Sequence, residues 1–258
     1  GVGRGIKWLS NLNLGLSFLL LAFFLVFGAT SFAFQSFAIS LWDYLTTLPL
    51  MILDVYPPEE SKAAQWQGDW TIFYWAWWIS FAPFVGLFLA RISKGRTVRE
   101  FVLGAILAPS AMCFVWFALV GGTAMDLELS GRAQGAVFSS GLSDQLYAVL
   151  DLLSSGIFTS VLYGVVVVLL LTYLVTSADS AILIINTVNA AGDEGPKARP
   201  HILFWGAAFG FLVGTLLLVG GLEAIQTAMV IGALPFSLVM VLMVISLFRA
   251  IWSENRAR

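Results

Sequence analysis

Six runs of about twenty mostly apolar residues, separated by short polar segments, leave this chain few ways to fold. A helix of that length covers the ~30 Å of a bilayer's hydrocarbon core, and in lipid only a helix or a closed barrel pairs every backbone group. The runs fall at about 13–34, 71–91, 101–122, 157–178, 201–221 and 226–249. They do not alternate apolar and polar residues, so they do not read as barrel strands. Charged residues make up only 11% of the chain, against roughly a quarter in a soluble domain. The fold class that follows is an all-α polytopic membrane protein. The single Cys113 lies within the third run and reads as an inert buried thiol that cannot form an internal disulfide.

Lys and Arg set the sidedness. With the start of the chain inside and six crossings counted, 11 of the 13 basic residues fall inside, and only Lys62 and Arg132 fall outside. The acidic residues Asp54, Glu59, Glu60, Asp69, Asp126, Glu128, Asp144 and Asp151 gather on the outer side. The reading is a multi-pass protein with both ends of this segment cytoplasmic. Residues 1–7 read as a loop, and the chain reads as the C-terminal part of something longer. Residues 37–52 place Phe37, Leu41, Tyr44, Leu45 and Leu48 on one side, as in an amphipathic helix at the membrane surface. Asp54 to Gly68, with Pro57-Pro58, reads as a polar loop, and Asp69 as the N-cap of the second run. Thr97-Val-Arg-Glu100 has the form of a capping box. The outer segment 123–156 is too long for a turn. A short helix is expected at 142–153, either as a lid or as a packed surface loop.

Residues 69–86 carry the strongest functional signal. Trp70, Tyr74, Trp77, Trp78 and Phe81 recur at i, i+4, i+7, i+8 and i+11, one face of a helix. Ring faces attract cations, and quaternary ammonium groups are the usual guests of aromatic cages. Two explanations compete: a cation cage, or bulky helix packing with Trp70 as an interfacial anchor. Pro83 frees the carbonyl of Ile79, and interrupted helices at membrane depth often mark transport sites.

In the fourth run, Thr172, Tyr173, Thr176, Ser177, Asp179 and Ser180 cluster toward the inner end. Hydroxyl and carbonyl oxygens suit a small hard cation such as Na⁺. The alternative is that these hydroxyls bond the preceding turn of their own helix. Asp179 is placed to cap, to pair with an arginine of 91–99, or to take part in a gate, and Pro83 is a second gating candidate. Gly206, Gly210 and Gly214 follow the small-xxx-small packing pattern. Gly232-Ala-Leu-Pro235-Phe236 reads as a kink. His201 is the lone histidine, and no catalytic motif is present, which argues against an enzyme.

Phe73-Tyr-Trp-Ala-Trp-Trp-Ile-Ser-Phe-Ala-Pro-Phe-Val-Gly86 and Ala90-Arg-Ile-Ser-Lys-Gly-Arg-Thr-Val-Arg-Glu-Phe101 resemble the betaine/choline/carnitine transporter family. Gly1-Val-Gly-Arg-Gly-Ile-Lys-Trp-Leu-Ser-Asn-Leu-Asn13 and Thr176-Ser-Ala-Asp-Ser180 resemble further blocks of it. The resemblance implies twelve helices around two inverted five-helix repeats, as in sodium-coupled amino-acid symporters. Residues 1–36 would end the first repeat, 37–69 would form the surface helix and outer loop, and 70–258 would form the second repeat. It also implies a secondary transporter for glycine betaine, choline or carnitine, coupled to Na⁺ and without an organic cofactor. A proton-coupled or exchanging member, or an osmolyte sensor, is the alternative. Trp77 and Trp78 match positions around the substrate's trimethylammonium head, and Phe81 stands where many members have a third tryptophan. Thr176 and Ser177 match sodium ligands, Tyr173 a carbonyl donor, and Phe84 an aromatic facing a second sodium. The implied partners are the other half of the polypeptide, the bilayer and, in many members, two further copies in a homotrimer. The implied location is the plasma (inner) membrane.

Overall fold

The computed structural model describes residues 2–57, 61–192, 195 and 199–257. The expectations placed on Gly1, Pro58, Glu59, Glu60, Lys197 and Arg258 lie outside them. The described residues are helical, with no strand among them. In chain order they form α1 (Val2–Phe27), α2 (Thr30–Met51), α3 (Ser61–Trp66), α4 (Phe73–Ile92), α5 (Val98–Val102), α6 (Ala108–Trp116) and α7 (Gly122–Leu129). There follow α8 (Ala136–Ser139), α9 (Gln145–Leu153), α10 (Ile157–Asn189) and α11 (Arg199–Ala257). Wider π-helical turns, Gln67–Ile72, Leu103–Leu107 and Phe117–Gly121, join α3 to α4, α5 to α6 and α6 to α7.

Five helical stretches among these residues are long and apolar enough to cross a membrane: Lys7–Phe27, Lys62–Ile92, Val98–Leu129, Ile157–Asn189 and Arg199–Ser253. The last contains both of the runs expected at 201–221 and 226–249. No loop separates them. Gly220 (φ −147°, ψ 15°) and Gly221 (φ 59°, ψ −144°) leave helical geometry, and the chain resumes its helix at once. A Cβ disfavours positive φ, so the break depends on glycine at position 221. Pro235 lies inside α11 without leaving helical dihedrals, so the break in helical geometry is at Gly220-Gly221. Gly221→Ala in the full-length protein is expected to cost about 1–3 kcal/mol, read as a lower unfolding temperature in detergent.

Other boundaries also move. Residues 2–7 are helical, because glycine weakens a helix by only about 1 kcal/mol per residue and cannot stop one continuing into an apolar run. The polar segment before the second run becomes helical at Ser61, so Asp69 sits inside a π turn and caps nothing. Gln67 holds the preceding chain there: its amide donates to Asp54 O (3.0 Å) and its carbonyl accepts from Tyr56 N (3.2 Å). The capping box forms as expected, with Glu100 N donating to Thr97 Oγ1 and Thr97 N donating to Glu100 Oε2. Cys113 is exposed, on a side of α6 that this chain does not cover.

The chain divides into two compact units, Gly1–Leu53 with Arg96–Ala178, and Asp54–Gly95 with Asp179–Arg258. The first holds the main core. Leu20, Phe24, Leu127, Leu150 and Val166 are all but fully buried. The helix expected at 142–153 is α9, and it contributes Val149 and Leu150 to this core, which is the packed-loop alternative. The run expected to be helical over 13–34 ends at Phe27. Thr123 is the reason: its hydroxyl donates to Leu119 O (2.6 Å) and accepts from Ala29 N (3.2 Å), providing for a backbone donor as the chain turns into α2. One turn on, Gly122 packs so closely on Ala33 that a Cβ there would lie 3.0 Å from its Cα.

Candidate functional site

In the second unit, α4 has two unlike sides. Ala76, Ser80, Pro83 and Gly86 fall at i, i+4, i+7 and i+10, and they meet α11. Ala76 and Pro83 are buried, and so is Ala233 across from them. Ser80 Oγ donates to Met229 O at 2.6 Å, and a Cβ on Gly86 would touch Met243 Cε at 3.7 Å. Small residues let the two backbones approach, the usual device for packing helices in lipid.

The rings occupy the other side. Trp70 and Tyr74 stack in parallel at 5.8 Å and 3°, Tyr74 meets Trp77 at 5.7 Å, and Phe81 meets Phe84 at 5.4 Å. Phe73 adds an edge contact to Trp77 at 5.9 Å. Trp77 is 38% exposed, Trp78 63% and Phe81 43%. Bulky packing against α11 therefore does not explain these rings, because α11 takes the small-residue side. The rings form a row of faces along the helix from Trp70, and a ring face can attract a cation.

Tyr173, Thr176 and Ser177 belong to the first unit and lie well inside α10, which continues to Asn189. The expected helix end near 178 is thus displaced inward. Thr176 Oγ1 lies 3.0 Å from both Thr172 O and Tyr173 O. A hydroxyl has one proton, so this back-bond spends it on the helix. That arrangement is compatible with a cation ligand, and an ordinary packed threonine adopts it too. Ser177 and Tyr173 are exposed. Asp179 is exposed in the same helix, within the second unit, and makes neither a cap nor an ion pair among the described residues. Of the arginines of 91–99, Arg91 donates to Thr187 Oγ1 at 3.4 Å. The glycine stripe is used once: Gly206 faces Ile182, whereas a Cβ on Gly210 or Gly214 would meet nothing.

Two side chains that sequence reasoning passed over organise these elements. Asn13 of α1 donates through Nδ2 to Leu169 O (3.0 Å) and Thr172 Oγ1 (3.2 Å), anchoring α10 one turn before Thr176. Ser80 is the other. Each carries a readable signal, an amide at the edge of an apolar run and the lone hydroxyl in the segment 75–90.

Comparison with known proteins gives a consistent result. The model of the betaine/carnitine/choline family transporters matches residues 1–256. The glycine betaine transporter OpuD of Bacillus subtilis is 40% identical over 99% of this chain and 49% of its own length. The osmo-independent choline transporter BetT1 of Acinetobacter baylyi is 37% identical over 99% of this chain and 49% of its length. An ectoine/hydroxyectoine transporter of Virgibacillus pantothenticus is 38% identical over 96% of this chain and 48% of its length. The chain spans about half the length of the curated relatives it matches.

Proposed function

The chain belongs to the betaine/carnitine/choline family of transporters, and from that membership we propose that it works as part of a secondary active carrier of small quaternary-ammonium solutes. Glycine betaine and choline head the candidates, since relatives bear those names. Members of the family are transporters, not enzymes.

One observation carries the proposal: α4 commits its small residues to α11 and keeps Tyr74, Trp77, Trp78 and Phe81 uncovered. A row of ring faces left outside the packing is what a methylated ammonium head requires, because that head has no N–H to donate and is held by ring faces and desolvation. In this reading Trp77 and Trp78 enclose the head and Phe81 closes the cage with a smaller π-face.

Coupling to Na⁺ is the finer part of the proposal. Thr176 and Ser177 supply hydroxyl ligands, Tyr173 a carbonyl, and Phe84 faces a second ion. The Thr176 hydroxyl spends its proton on its own helix, which is compatible with this role. The break at Gly220-Gly221 supports six crossings, since each arm of α11 exceeds the ~20 residues that one crossing takes. Six crossings retain both ends inside and the 11-to-2 partition of basic charge. Residues 70–258 would then be the second inverted repeat, with the remaining length of the relatives supplying the rest of the carrier.

The test is accumulation of radiolabelled glycine betaine by the full-length protein in proteoliposomes. An inward Na⁺ gradient should drive uptake above equilibrium, and replacing Na⁺ with K⁺ should abolish it. Uptake that ignores the replacement rejects sodium coupling, and binding without accumulation makes the protein a sensor. Thr176→Val combined with Ser177→Ala should raise the Na⁺ concentration for half-maximal uptake by at least roughly tenfold, one lost charge-assisted contact being about 1.5 kcal/mol or more.

A further inference from the structure

We propose that Ser80 is a positioning residue that sets the rotation of α4 and thereby the aim of its aromatic face. This rests on the reading of that face as the substrate surface. A serine inside a helix ordinarily returns its proton to a carbonyl of its own preceding turn. Thr172, Thr187 and Thr215 each bond a carbonyl four residues back in this way. Ser80 instead donates across to Met229 O of α11 at 2.6 Å.

Local sequence makes that bond possible and gives it leverage. Across the gap, Gly232 faces Ser80, and a Cβ there would reach an ordinary contact of 3.8 Å with Ser80 Oγ, so the bond lies within the close packing of the two helices. Ala76 and Ala233 are buried and small, so the helices approach closely. Three residues on, Pro83 has no N–H, and the carbonyl of Ile79 loses its usual donor. The helix is therefore softest in the turn that joins Trp77, Phe81 and Phe84. A ring standing about 5–6 Å from the helix axis moves about 2 Å when the helix turns by about 20°. A binding constellation tolerates only about 0.5 Å and 10–20°. Small residues alone do not resist such a rotation, because a smooth surface slides. A single directional bond to a fixed carbonyl does resist it.

The test uses the full-length protein with Ser80→Ala and Ser80→Thr, read in two ways. The first readout is glycine betaine uptake. Ser80→Ala should raise the half-saturating concentration about fivefold and leave the maximal rate within twofold, and Ser80→Thr, which keeps the hydroxyl, should restore the wild-type value. The second is geometric and independent of transport. Gly86→Cys and Met243→Cys, placed together in a background lacking other cysteines, should cross-link with a short bifunctional thiol reagent that spans the reach of the Met243 side chain, and adding Ser80→Ala should slow this several-fold. Unchanged cross-linking, or Ser80→Thr no better than Ser80→Ala in both readouts, overturns the role of Ser80. Slowed cross-linking in a protein that takes up no betaine in any version upholds the role of Ser80 and rejects the substrate reading.

Discussion

Trp77→Ala in the full-length protein should weaken glycine betaine binding by roughly 30-fold, because a desolvated cation–π contact is worth about 2 kcal/mol. Trp77 stands at the centre of the ring ladder, within 5.7–5.9 Å of both Tyr74 and Phe73. Trp77→Phe retains a π-face and should lose less. Na⁺ dependence should persist in both, since the hydroxyls assigned to the ion lie on another helix. Binding followed by calorimetry or tryptophan fluorescence separates these outcomes from a folding defect, provided each variant elutes as the wild type in detergent. Equal affinities for wild type and alanine variant would return the rings to a structural role.

Gly28→Val should be as severe, through stability. A Cβ at position 28 would lie 2.4 Å from Phe24 O and 2.5 Å from Thr123 Oγ1. Neither neighbour can retreat. The carbonyl belongs to the helix and accepts from Gly28 N at 2.9 Å, and the threonine is engaged with Leu119 O and Ala29 N. Overpacking of this kind costs about 3 kcal/mol. The variant should unfold well below the wild type in a detergent melt. An unaltered melting temperature would show that the turn between α1 and α2 adjusts easily, contrary to the packing described.

Much of this arrangement is legible in the sequence, and the parts that are not share a cause. The apolar runs, the Thr97–Glu100 capping box, the helix at Gln145–Leu153 and the ring face of α4 are local patterns, fixed by residues within a turn or two of each other. The end of α1 is not local. Gly28-Ala29-Thr30-Ser31 interrupts the apolar run only briefly and does not by itself dictate a turn, and there Thr123, 94 residues away in sequence, accepts the Ala29 N–H. Helix ends are hidden for a different reason. Hydropathy marks where hydrocarbon ends, whereas a helix continues as long as its backbone bonds do. Hence α10 runs on through Asp179 and Ser180 to Asn189, and the helical path begun at Val98 runs on to Leu129. The same distinction applies within the candidate site. The spacing of the rings is legible, but which side of α4 meets α11 is decided by Ala76, Ser80, Pro83 and Gly86, whose smallness carries no hydropathy signal.

The most direct test of the central claim is the cryo-electron microscopy structure of the full-length protein with bound glycine betaine. The account requires the trimethylammonium nitrogen within about 6 Å of the Trp77 ring centroid, with Trp78 or Phe81 against the same methyl groups. Density for the solute elsewhere, with the rings of α4 lying against lipid, would contradict it.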